Sequence, residues 1–226
     1  MKRLLLYLAG LFIMAFGVSA SIMSNLGVSP IDTIPYVTSE ILKIDMGICT
    51  TAIFTCYVLL QILLLGRKFP KRNILQIAVS AVSGAFISIT NRLAAAILPE
   101  ATGYGIQLCY VVLSMALLGF GIFLYVETDI MSLPAEGVAQ ALAIRAKRPM
   151  STMKIFFDWS VVAVSAVLSI CFLKEFRGIR EGTLIAAFGV GLFIKLYTRC
   201  FQKPLEKFLG KDRPCSQPET GVSQAD

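Results

Sequence analysis

FGVSASIMSNLGVSPID, Phe16 to Asp32, and FGIFLYVETDIMSLPAE, Phe120 to Glu136, superpose without a gap at an offset of 104 residues. Phe16 meets Phe120, Gly17 meets Gly121, Asn25 meets Asp129, Leu26 meets Ile130, Pro30 meets Pro134 and Asp32 meets Glu136. The same register continues to Lys43 with Lys147 and to Met46 with Met150. Glycine, proline and acid matches in one frame carry weight because the surrounding composition is biased towards Leu, Ile, Val and Ala. The chain is therefore read as an internal duplication.

Outward from these two stretches the sequence is strongly apolar. Of 226 residues, 56% are hydrophobic and only 15% charged, with mean hydropathy +0.75, well beyond the roughly 45–50% apolar and 25% charged of soluble domains. Apolar runs near residues 4–23, 48–65, 74–98, 106–126, 153–173 and 183–200 each suffice for a span, which needs about 20 residues to cross about 30 Å. Repeat one covers about 4–98 and repeat two about 106–200, within a single membrane domain over 1–201. Three spans per half is an odd number, so the halves must be inverted relative to one another. The predicted fold class is all-α: a polytopic membrane protein of six transmembrane helices in two inverted three-helix repeats, each with a broken or re-entrant segment.

The cations set the orientation. Lys2 and Arg3, then Arg67, Lys68, Lys71 and Arg72, then Arg145, Lys147 and Arg148, and finally Arg199, Lys203, Lys207, Lys211 and Arg213 fall on one side. That side is expected to be the cytoplasm, with both termini there. The opposite side holds Lys43, Arg92, Lys174, Arg177 and Arg180. Lys195, close to the inner end of the last span, is expected to snorkel. The polar tail over 202–226 is expected to be cytoplasmic and disordered. The start resembles a signal peptide ending in Val18-Ser19-Ala20, but its recurrence later in the chain argues for a retained span.

Several function classes lose their footing. With no histidine there is neither a Ser-His-Asp triad nor a His-ligated metal. Cys49, Cys56, Cys109, Cys171, Cys200 and Cys215 are scattered singly and read as small hydrophobes, so no metal and no cofactor is expected. The net charge of +7 is dispersed between apolar runs, which argues for the lipid bilayer rather than nucleic acid as partner. No catalytic nucleophile is marked, and the expectation is that the protein is not an enzyme.

Between the first two spans of each half lies a segment too long for a turn and too polar for a span, 25–46 and its mate 129–150. Ser29-Pro30-Ile31-Asp32 has the pattern of N-cap, N1, N2 and N3. Pro134 and Glu136 repeat it, with Leu133 in place of the serine. Asp32 and Glu136 are either first-turn acids of surface helices or acids of re-entrant half-helices meeting at a cavity, where irregular backbone is tolerated at depth. Asn25 and Asp129 are matched hinge residues.

Lys154 and Asp158 stand four apart on one face of the fifth span, with Asp158 about 6–9 Å from its polar end. Such a pair should face protein or a water-filled cavity, as a helix-locking ion pair or as part of a site. Their first-half counterparts are Thr50 and Phe54, so the pair is an asymmetric addition to the duplicated scaffold. Trp159 is a packing or a substrate-stacking aromatic, and packing is the favoured reading. Arg180 and Glu181 open the sixth span as an interface pair, or Arg180 reaches a cavity mouth; Ala187 and Gly191 would allow close helix approach.

Asn25-Leu26-Gly27-Val28-Ser29-Pro30-Ile31-Asp32 resembles the LGVSPWD signature of the YczE/YitT-like bacterial membrane proteins. Lys154 with Asp158, and Gly178-Ile179-Arg180-Glu181-Gly182-Thr183, resemble that family's later K-x-x-x-D and G-x-R-E-G-T signatures. The resemblance covers about residues 10–196 and departs at Ile31, where tryptophan is common. It implies a bacterial inner-membrane location and several spans. Members often lie near regulators resembling PLP-binding transcription factors, which implies an amine or a vitamin B6 compound as a substrate to test.

The functional expectation is a secondary transporter of a small polar or charged solute, because inverted repeats can open one central site to either side in turn. Asp32, Glu136 and Asp158 outnumber Lys154 and favour a cation, or a proton as coupling ion; helix N-termini alone would favour an anion. Two alternatives stand beside it: a substrate-binding subunit dependent on partner ATPases, since no Walker motif is present, and a non-transporting scaffold or regulator. A homo-oligomer is compatible with all three.

Overall fold

The computed structural model describes residues 2–99, 101–175 and 178–209. Among these every regular element is helical: α1 (Lys2–Ser24), α2 (Thr33–Leu42), α3 (Met46–Leu65), α4 (Gln76–Ile97), α5 (Tyr104–Glu127), α6 (Pro134–Ala146), α7 (Met150–Leu168) and α8 (Glu181–Leu209). Six helical stretches are long and apolar enough to cross a membrane: Lys2–Ser24, Met46–Leu65, Lys71–Ile97, Tyr104–Glu127, Met150–Leu173 and Glu181–Gln202. A helix satisfies its own backbone, which is why such apolar runs take this form where no water can. The expected tail begins within α8, which continues to Leu209; its remainder lies outside the described residues.

The breaks repeat as the sequence does. α1 and α5 each end on a residue in the left-handed region, Asn25 (φ 55°) and Asp129 (φ 53°). α2 and α6 end the same way at Lys43 (φ 56°) and Lys147 (φ 51°). Asparagine and aspartate tolerate this conformation better than other side-chain-bearing residues. Asn25 N–H donates to Ile22 O at 3.1 Å, and Asp129 N–H to Val126 O at 3.1 Å. Each chain then turns and restarts at a proline, Pro30 in a 3-10 turn leading into α2 and Pro134 directly in α6.

Two local expectations need correction. Ser29 occupies the position before Pro30, but its side chain makes no capping hydrogen bond. The 3-10 turn over Pro30–Asp32 is instead closed by Asp32 N–H to Ser29 O at 2.9 Å and by the Thr33 hydroxyl to Pro30 O at 2.7 Å. α7 starts at Met150 rather than near 153, so Asp158 lies deeper, about 12 Å from the helix start at 1.5 Å per residue.

α1 and α5 form the central pair. A methyl added at Gly10 would lie 2.9 Å from Gly121 O and from Tyr125 N, and one at Gly17 would lie 2.8 Å from Leu118 N. The rising numbers in α1 meet falling numbers in α5, so the two run antiparallel, and their glycines let the backbones touch. Gly17 also faces Ser114, the residue 104 beyond Gly10, while Gly121 is 104 beyond Gly17. The two ends of the contact thus exchange equivalent positions.

Around this pair, α4 packs on α1 and on α3, while α8 packs along α5. The α3–α4 seam is very close: methyls at Gly47 or Gly84 would each collide with the other's carbonyl. The matched positions in the second half are Ser151 and Phe188. Neither can make that contact, and α7 forms no comparable face with α8. Gly119 and Gly189 seat α8 against α5, through Phe193 and Met115 respectively. The Ala187 and Gly191 stripe does not mediate a close helix contact, since a methyl at Gly191 would meet nothing within 4 Å.

Candidate functional site

Asp32, Glu136, Lys154 and Asp158 all line one cavity of about 180 Å³ between the two breaks. Met14 and Leu118, from the middle of α1 and α5, form part of its wall, together with Ser29, Leu133 and Phe54. The lining is itself paired at the 104-residue offset: Met14 with Leu118, Ser29 with Leu133, Asp32 with Glu136, Phe54 with Asp158. The 3-10 turn that leads into α2 and the first turn of α6 therefore meet at one space, each bringing an acid beside the partial positive charge of a helix start.

The acids are held differently. Asp32 stands in the break between spans, 7% exposed, and burial pushes its carboxyl up to about 7. Glu136 Oε1 accepts a hydrogen bond from the Tyr125 hydroxyl at 2.5 Å. Lys154 Nζ lies 3.7 Å from Asp158 Oδ2, with both side chains partly exposed. Asp158 Oδ1 is buried and has no hydrogen-bond partner among the described residues. Three carboxyl groups stand against one amine in this lining, a balance suited to a cation rather than an anion. Among the described residues, no three His, Cys, Asp or Glu side chains converge as a metal-ligand set.

A vestibule lies against each break. One, of about 560 Å³, is lined by Ser21, Ile22, Asn25, Gly27 and Val28, with Tyr36 and Arg180 beside them. The other, of about 300 Å³, is lined by Tyr125, Val126, Asp129, Met131 and Ser132, with Arg72 and Glu136 beside them. The first five residues of each set are one another's mates at an offset of 104. Tyr125 and Glu136 line both the second vestibule and the central cavity, so their hydrogen bond stands between the two spaces. Asn25, Asp129 and Arg180 thus belong to the vestibules rather than to the central cavity.

Each break is clamped by the opposite half. Arg180 Nη1 donates to Asn25 O at 3.0 Å, Val28 N–H to Gly178 O at 3.0 Å, and Gly182 N–H to Leu26 O at 2.9 Å. At the other break Arg72 donates to Ile130 O, and Gln76 Nε2 donates to Ser132 Oγ at 3.3 Å. Gln61 Nε2 donates to Gln76 Oε1 at 2.8 Å and to Pro134 O at 3.0 Å, holding the start of α6. Sequence reasoning missed Tyr125, Gln61, Gln76 and Arg72. Gln61 and Gln76 did carry a signal, as amides within and beside apolar runs, and Gln76 lies 104 before Arg180.

The chain belongs to DUF6198, a family of unknown function, whose sequence profile it matches over residues 1–199. No curated protein and no solved structure matches it. Family membership and the six apolar helices together define an integral, multi-pass membrane protein.

Proposed function

We propose that the protein is a secondary transporter of a small cationic solute, working by alternating access between two inverted repeats in a bacterial cytoplasmic membrane. The observation that carries this reading is the cavity shared by Asp32, Glu136, Lys154 and Asp158 between two breaks matched at the 104-residue offset. The antiparallel α1–α5 contact and the paired vestibules support inversion, because two equivalent halves facing opposite ways can exchange conformations. The lysine and arginine distribution supports cytoplasmic termini, placing Asn25 outside and Asp129 inside. The YczE/YitT-like motifs keep amines and vitamin B6 compounds among the first solutes to test. A raised carboxyl at Asp32 would also let a proton serve as coupling ion.

The test is thermal unfolding of the purified protein against amines, amino acids, B6 vitamers and small anions, alongside Asp158→Asn. A ligand of the native state raises its apparent stability by mass action. An amine should raise the midpoint of the native protein and leave the variant unmoved. Co-purification of an ATPase, with no ligand response, would replace this account with that of a partner-dependent substrate-binding subunit.

A further inference from the structure

The central cavity has one wall unlike its counterpart. Gly47 and Gly84 bring α3 and α4 into backbone contact, whereas Ser151 and Phe188 stand at the matched places on α7 and α8, and Phe188 is 73% exposed. Between α7 and α8 remains a hollow of about 30 Å³ lined by Pro30, Asp158, Trp159, Val162, Thr183, Leu184 and Ala187. Pro30, Asp158 and Ala187 also line the central cavity, so the two spaces adjoin. The slot is apolar except at Asp158 and Thr183. Asp158 directs one oxygen towards Lys154 and leaves Oδ1 buried without a donor among the described residues.

We propose that the central cavity opens sideways to the lipid through the slot between α7 and α8, and that its substrate is an amphiphilic amine entering from the bilayer. This rests on the transporter reading above and names the substrate class and its route. The ammonium supplies the donor that Asp158 Oδ1 lacks, and the excess of carboxylates over Lys154 favours its charge. The tail lies along Val162 and Leu184 and against the small side chain of Ala187 on α8. A small polar amine would satisfy the carboxylate but leave the slot unfilled, whereas an alkyl tail lying there is removed from water.

Trp159 is the chain's one tryptophan and lines the slot, so its fluorescence reports occupancy. The protein in lipid nanodiscs is titrated with n-decylamine, n-butylamine and n-decanol, with affinities referred to the aqueous concentration. Decylamine is expected to bind at least tenfold tighter than butylamine, with decanol failing to displace it. Asp158→Asn should lose both amines. Val162→Phe, which fills the slot without touching the central cavity, should weaken decylamine at least tenfold and leave butylamine unchanged. Equal affinities for the two amines, or unchanged decylamine binding in Val162→Phe, would overturn the slot while leaving the amine site intact. Displacement by decanol would overturn the cation requirement. If neither amine binds, the slot proposal and the amine-transporter reading fall together. The chain-length comparison is made on the native protein, so it decides the matter even if Val162→Phe does not fold.

Discussion

At the first break the buried Asp32 carboxyl has no hydrogen bond or ion pair among the described residues, whereas at the second Glu136 is bonded at 2.5 Å by Tyr125. The position equivalent to Tyr125 is Ser21, whose hydroxyl turns to Gly27 O at 2.9 Å and leaves the acid of its own half alone. The backbone thus matches at the 104-residue offset, down to the left-handed residues after the helices, while the side chains differ. Two breaks of like backbone adjoin one cavity that unlike side chains line. Asp158 opposite Phe54 is the same lesson on α7 and α3.

The largest consequence of this difference concerns pH. Asp32 has a folded value of about 7 against about 4 when unfolded. Between these values the folded state binds more protons, so stability should fall as pH rises from about 4 to about 7 and then level off. The limiting slope is about 1.4 kcal/mol per pH unit. Asp32→Asn should flatten that slope in denaturation curves collected across the range, and an unchanged slope would place its origin elsewhere.

The central pair gives the next effect. Gly10→Leu and Gly17→Leu should each destabilise by about 1–3 kcal/mol or prevent folding, because both press on the backbone of α5. Gly191→Leu, facing open space, should leave the melting temperature within a degree or two of the native value. If all three behave alike, the glycine contacts are not what seats α1 against α5.

A smaller effect is expected at Asp158. Replacing it with asparagine should cost at least tenfold in amine affinity, about 1.4 kcal/mol, and Phe54→Leu at the mate position should cost far less. The clamps come last. Arg180→Gln removes a hydrogen bond to Asn25 O and should cost about 0.5–1.5 kcal/mol. Gln76→Leu disturbs the opposite clamp and breaks a buried amide pair, so it should cost more; equal losses would mean that Gln61 finds another partner.

Much of this was legible in the chain because the signals were periodic or local. The spans follow from apolar length, and each observed helix lies within a few residues of its run. The offset that aligns Asn25 with Asp129 also aligns the left-handed residues of the backbone. Asp32 and Glu136 stand out in the sequence as matched first-turn acids of the breaks, and Lys154 with Asp158 as an ionisable pair inside a span; the fold brings all four to one cavity. Long-range pairing was not legible. Nothing local couples Tyr125 to Glu136 or Gln61 to Gln76, since each bond depends on how separate helices meet. Ser29 has the sequence of a cap, yet the turn at Pro30 closes through backbone and Thr33 bonds instead. Ala187 and Gly191 have the spacing of a helix contact, yet only the placement of α8 reveals that the contact lies at Gly119 and Gly189.

Site-directed cysteine labelling tests the central claim most directly. With the native cysteines replaced, Asn25→Cys and Asp129→Cys place one thiol in each vestibule at matched exposed positions. A membrane-impermeant maleimide should label position 25 in intact cells and position 129 only in inside-out vesicles. Labelling of both thiols from the same side would contradict the inverted arrangement and, with it, alternating access between the two halves.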